Sequence, residues 1–225
     1  MPSIEELVRD ALSANRMGTY EQAKGVTKAG LTLPLPLDRA LELYAWNAQI
    51  SAAFMHPLHL CEVVIRNGVA DAIEMVYGAA WPWSVGFLQS LPNPASGYNM
   101  HRDLLSARNG MHTTGKVIPE LSFAFWQRMF TGRNDRRVWN PNLQQCFPNF
   151  PANLPVADCR HQMFNALKQI RLLRNRIAHH EPIFSRNLVS DFQTIYNVIA
   201  FRSHDAANWM NGHQQVSTLL AKCPI

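Results

Sequence analysis

The chain has no closely spaced cysteine pair, no block of like charge, and no segment that alternates apolar and polar residues. Each absence excludes something. The four cysteines, Cys61, Cys146, Cys159 and Cys223, are scattered, so neither a CxxC motif, a zinc-finger spacing nor a disulfide scaffold fits them. They read as reduced thiols. The missing period-two alternation argues against a sheet. The net charge of +5, with a pI near 9.2, suits a polyanionic partner but lacks the dense basic run of a purely electrostatic DNA binder. No apolar run in the sequence approaches the ~20 residues of a membrane span. The opening MPSIEELVRDAL is acidic and amphipathic, unlike a signal peptide. A cytoplasmic protein without a membrane partner is expected.

What is present is apolar bulk and helical periodicity. Hydrophobic residues make up 47% of 225, with 6 Trp and 11 Phe, enough for a sizeable core. The expected fold is all-α, a single domain over 1–225, with a helical extension over 1–37, a core over 38–203 and a tail over 204–225. Ser3, with Glu6 three residues on, predicts a capping box at the first helix. A short helix is expected over Tyr20–Ala29. Prolines make Leu31–Leu37 extended. Asp38 is expected to cap a long helix that Pro57 interrupts or restarts and Gly78 ends. Ala79–Gly97 and Thr131–Pro155 read as mostly irregular. Helices follow over Asn99–Asn109, Pro119–Phe130, Ala157–His180 and Leu188–Arg202, with a short one towards the C-terminus.

The chemistry concentrates in RLLRNRIAHHEP, Arg171 to Pro182. Arg171, Asn175 and His179 recur every four residues and stack on one helical face. With Arg171 at zero on a wheel, Met163, Leu167, Ile170, Ile177 and Ala178 fall between about 240° and 340°, and Arg174 near 300°, inside that stripe. An arginine there is costly unless paired. His179 and His180 should lie in the last turn, where the helix dipole favours the imidazolium. Two guanidinium groups, an amide and an imidazole can bind a phosphodiester and move its protons. A helix ending in Arg and His is also an ordinary dipole-compensated terminus, and these residues alone do not separate the two readings.

RNRIAHHEPIF resembles the closing motif of Abi-like (abortive infection) proteins of the HEPN superfamily. LYAWNAQISAAFMHPLHLCEVVIRN, ending in Glu62, Arg66 and Asn67, resembles the first block of such sequences, and SFAFWQRMF resembles the middle one. The resemblance covers about Leu43 to Phe184. It implies a HEPN-like helical bundle with additional helices and long irregular loops. It also implies a metal-independent endoribonuclease of phage-defence or toxin type, needing no cofactor. Arg174, Asn175 and His179 would be catalytic. Arg171, His180, Arg66 and Asn67 would bind substrate, with Glu62 behind them. RNA would be the partner, tRNA among the targets, and the chain would form a homodimer whose two motifs share one cleft, with an antitoxin as a further partner. The alternative within the superfamily is a non-catalytic RNA- or nucleotide-binding module or an interaction scaffold.

Outside that motif the signals are weaker. Glu62 and Arg66 at i, i+4 also suit an ordinary intrahelical ion pair. Trp81, Trp83, Trp126 and Trp139 could stack bases, though Trp126 sits in an apolar run and reads as core. Arg133–Arg137 is a candidate backbone-binding patch or a solvated loop. His56 and His59, split by Pro57, are poorly spaced for a metal.

Overall fold

The computed structural model describes residues 1–23, 27–28, 31–32 and 34–225. The fold is all-α. Its helices are α1 (Ile4–Leu12), α2 (Ala14–Glu21), α3 (Leu37–Tyr77), α4 (Val85–Ser90), α5 (Met100–Ala107), α6 (Thr114–Val117), α7 (Phe123–Met129), α8 (Asn140–Cys146), α9 (Val156–Ala178), α10 (Leu188–Arg202), α11 (His204–His213) and α12 (Val216–Leu220). The extended piece among the described residues is a two-residue antiparallel pairing of Thr27–Lys28 with Leu31–Thr32. The capping box at α1 is present: Glu6 N–H donates to Ser3 Oγ at 3.2 Å and Ser3 N–H to the Glu6 carboxylate at 2.7 Å.

Several expected boundaries move. The helix expected over Tyr20–Ala29 lies earlier, as α2, and residues 24–26 and 29 fall outside the described residues. Asp38 sits in the first turn of α3, and Pro36 holds the position before it. Pro57 does not break α3, which runs unbroken for 41 residues. An internal proline costs ~3 kcal/mol. Pro57 is itself buried, and the buried Phe54, Leu58 and Cys61 on either side of it provide packing that outweighs this, because tertiary burial rather than propensity decides most helices. Gly78 ends α3 at φ 82°, a left-handed conformation that glycine adopts without strain.

α3 also corrects the expectation about membrane spans. It is long and apolar enough to cross a bilayer, and 33% of its most apolar window is buried within the chain. A linear scan for unbroken apolar runs misses it because polar residues are interspersed through the helix.

The stretch 131–155 is more ordered than its Asn, Pro and Arg content suggests. Asp135–Trp139 form a single π-helical turn that leads into α8. The reason is Trp139. It is fully buried, stacked on Phe130 at 4.4 Å, and its indole N–H donates to the Met129 carbonyl at 2.8 Å. Phe147 and Phe150 extend this aromatic layer to Phe201 of α10. Likewise, within 79–97, Trp81 is fully buried against Phe87 of α4. α2, α7, α8, α10 and α12 all pack on α3, and α9 packs on α7 and α10.

Candidate functional site

α9 ends at Ala178, so His179 is its C-cap and His180 lies beyond it. The termination is a Schellman motif. Glu181 N–H donates to the Arg176 carbonyl at 2.8 Å and His180 N–H to the Ile177 carbonyl at 3.0 Å. That motif requires a left-handed residue after the cap, normally glycine. Here it is His180, at φ 55°. The strained backbone is held from outside: Arg16 of α2 donates a guanidinium N–H to the His180 carbonyl. Beyond the turn, Asn47 of α3, itself buried, accepts the N–H groups of Ile183 and Phe184 at 2.8 and 3.2 Å. Arg176 donates to the Pro182 carbonyl at 2.6 Å. Three separate polar side chains therefore fix the segment that carries both histidines.

These contacts frame an open cavity of about 720 Å³ between α2, α3 and the end of α9. Arg16, Tyr44, Ser51, Arg174, His179 and His180 are among its lining residues. Arg16 lies over the Tyr44 ring, its guanidinium carbon 5.6 Å from the centroid, and donates to the Tyr44 hydroxyl at 3.3 Å. Tyr20 closes the floor. Burial pushes its phenol up to about 12, against a smaller opposing pull from Arg16, so it remains a neutral donor at physiological pH.

A second, smaller hollow of about 210 Å³ lies along the same groove, lined by His59, Glu62, Arg66 and Arg174. Arg174 borders both. Its Nε lies 3.6 Å from a Glu62 carboxylate oxygen, an ion pair too long to be a hydrogen bond. The Arg66 Nε is buried without a partner among the described residues.

The eight residues singled out from the sequence thus divide. Arg174, His179 and His180 share one cavity; Arg174, Glu62 and Arg66 share the adjoining one. Arg171 lies elsewhere and donates to Gln127 of α7 at 2.8 Å. Asn67 is exposed and Asn175 half-buried, and neither lines either cavity. Asn175 instead accepts the His179 N–H through its backbone carbonyl at 2.9 Å. Arg174 is not in the buried stripe: its side chain is 44% exposed. Fully buried Leu173 takes the inward position instead, Ala178 is exposed, and the hollows on either side leave the arginine open.

Sequence reasoning missed Arg16, Tyr20, Tyr44 and Asn47. Arg16 and Tyr20 share a face of α2 at i, i+4 spacing, but nothing local marks that face as facing His180. Of the proposed base-stacking residues, Trp81, Trp126 and Trp139 are buried in the core, and Trp83 is half-buried. Arg133, Arg136 and Arg137 are exposed, while Asp135 between them pairs with Arg160 at 2.7 Å. Among the described residues, no three His, Cys, Asp or Glu side chains gather closely enough to hold a metal ion. No family model matches the chain, and comparisons with curated proteins and with solved structures likewise find no match.

Proposed function

We propose that this chain is a metal-independent endoribonuclease of the Abi-like, HEPN type, acting on RNA in the cytoplasm as a homodimer. One observation carries the reading: Arg174 and His179 line one open cavity whose far wall presents a second arginine, Arg16. The reaction is transesterification. The RNA 2′-OH attacks the adjacent phosphorus, the bond to the 5′-oxygen breaks, and the products are a 2′,3′-cyclic phosphate and a 5′-OH. His179 takes the 2′-OH proton or returns one to the leaving oxygen. Arg174 and Arg16 flank the phosphoryl oxygens and stabilise the charge that builds on them. Glu62 holds Arg174 towards the groove by its charge. Asn175 serves through its carbonyl, which anchors the His179 backbone. His180 or the partner copy's histidine supplies the second proton transfer.

The position of Asn175 outside the cavity favours a second reading, a non-catalytic RNA-binding member. Incubating the purified chain with total tRNA in EDTA, beside His179→Ala, separates them. Cleavage with cyclic-phosphate ends is expected from the unaltered chain. His179→Ala should lower it about 100- to 10,000-fold, the range for a general acid–base group, with its melting temperature unchanged. Intact tRNA after incubation with the folded, unaltered chain would remove the enzymatic reading.

A further inference from the structure

A third hollow, of about 530 Å³, lies on the neighbouring face of the same α3 turns, and Ala52 borders both it and the Arg174–His179 cavity. Gln49 and His56 of α3 line one side, and His213, Gln214, Gln215 and Leu219 the other. Its chemistry differs from that of the cavity beside it. Among the described residues that line it there is no Lys, Arg, Asp or Glu, so it offers a phosphate no counter-charge.

What it offers is planar and hydrogen-bonding. Trp209 of α11 does not line the hollow itself but touches two residues that do, and it is 56% exposed. Its ring stacks on His213 at 4.5 Å and meets His56 edge-on at 6.0 Å. The His213 Nδ1 lies 2.7 Å from the Trp209 carbonyl. A carbonyl only accepts, so Nδ1 carries a proton and donates it there, which leaves the Nε2 edge facing outward from that bond. His56 Nδ1 is buried with no partner among the described residues. The walls are held in place: Trp46 donates its indole N–H to the Leu219 carbonyl at 2.8 Å, and Gln214 is tied to Ser217 by two hydrogen bonds of 3.0 Å.

We infer that this hollow, together with the exposed Trp209–His213 stack at its edge, is a nucleobase subsite, in which a base splayed from single-stranded RNA stacks on that pair while its phosphodiester lies in the adjoining arginine-lined cavity. The inference rests on the ribonuclease reading for its substrate and deepens it. Single-stranded RNA is recognised through unstacked bases on aromatic faces, with amides and imidazoles meeting their edges. An exposed indole–imidazole stack beside glutamine side chains fits that need. A neutral base hollow next to a cationic cavity also separates the two parts of a nucleotide by charge.

The test uses the full chain and a short, uncleavable 2′-O-methyl RNA strand, with an abasic phosphodiester chain of equal length as control. Binding is read by tryptophan quenching and by anisotropy of a labelled strand. Trp209→Ala should weaken the base-bearing strand about 5- to 150-fold and leave the abasic chain unaffected. Trp209→Phe should recover most of the loss. The salt dependence should stay as in the unaltered chain, whereas Arg174→Ala should lower its slope by about one. Equal affinity of Trp209→Ala and the unaltered chain for the base-bearing strand would overturn the inference, as would an unaltered chain that does not favour bases over abasic phosphate. A Trp209→Ala effect confined to self-association, read by sedimentation, would assign the hollow to a second copy and overturn it too. Cleavage in EDTA alongside Trp209-independent binding would remove the base subsite and keep the ribonuclease reading; Trp209-dependent binding without cleavage would do the reverse.

Discussion

The two ends of α9 lie in opposite surroundings. Towards its start, Cys159, Met163, Leu167 and Ile170 are buried, and Arg160 pairs with Asp135 of the π turn at 2.7 Å. The aromatic layer of Phe130, Trp139 and Phe147 nearby is fully closed. At its finish, Arg174 is nearly half exposed, His179 and His180 are exposed, and the backbone turns left-handed at a residue that is not glycine. Leu173 and Ile177 stay buried at that finish too, but one end is closed around its ion pair while the other keeps open charge, open volume and strain. Strain of this kind persists only where neighbours over-determine it, and it gathers at functional sites. The comparison therefore assigns stability to the aromatic end and, under the proposed function, chemistry to the histidine end of one helix.

If that assignment holds, substitutions at the two ends should have separable consequences. Trp139→Ala removes a fully buried indole, its stack on Phe130 and its hydrogen bond to Met129. It should cost about 3–5 kcal/mol of stability, readable as a lower denaturant midpoint. Under the proposed ribonuclease reading, cleavage per folded molecule should be unchanged, and a selective loss of cleavage would break the comparison. Gly68→Ala is a smaller perturbation of the same end. A β-carbon there would lie 2.6 Å from an Arg202 nitrogen and 2.7 Å from the Phe147 ring. Arg202 is held by Asp71 at 2.6 Å and Phe147 by the aromatic layer, so neither moves freely. A cost of about 1–3 kcal/mol is expected from such overpacking; denaturation at the unaltered midpoint would show that the layer yields.

The two ends were also unequally legible in the sequence. The periodic apolar positions Met163, Leu167, Ile170 and Ile177 mark the buried face directly, because burial repeats with the helical period. The capping box at Ser3 and the stop at Gly78 are local signals as well, and both are present. Trp139 was hidden because its order comes from packing against Phe130 and Phe147 and a hydrogen bond to Met129, contacts that no apolar period in the sequence marks. Pro57 misled for the same reason: a local rule was outweighed by long-range burial. At the histidine end, the motif drew attention to Arg174 and His179 through residue type. Spacing did less well, since Arg171 and Asn175 share their periodicity with His179 yet line neither cavity. A helix that stops at Ala178 no longer projects residue 179 by helical period. Arg16, from a segment with no recognisable counterpart, was beyond local reasoning, because only the folding of α2 onto α3 brings it to the His180 carbonyl.

The subtlest test concerns His180 itself. A non-glycine residue in the left-handed region costs about 1–2 kcal/mol, and a glycine returns roughly 0.5–1 kcal/mol of that through the greater freedom of the unfolded chain. His180→Gly should therefore stabilise the protein by about 0.5–1 kcal/mol. The external tether survives the change, because Arg16 bonds the backbone carbonyl and not the imidazole, and the two Schellman hydrogen bonds are also backbone to backbone. Only the imidazole facing the cavity is lost. A stabilised variant whose cleavage falls would mean the strain is retained for the side chain it presents, which sharpens the contrast between the two ends. A stabilised variant with full cleavage would leave His180 as a cap and, within the proposed dimeric ribonuclease, pass the second proton transfer to the partner copy. A destabilised variant would show that the imidazole contributes packing at this turn, and the histidine end would then no longer be the open one.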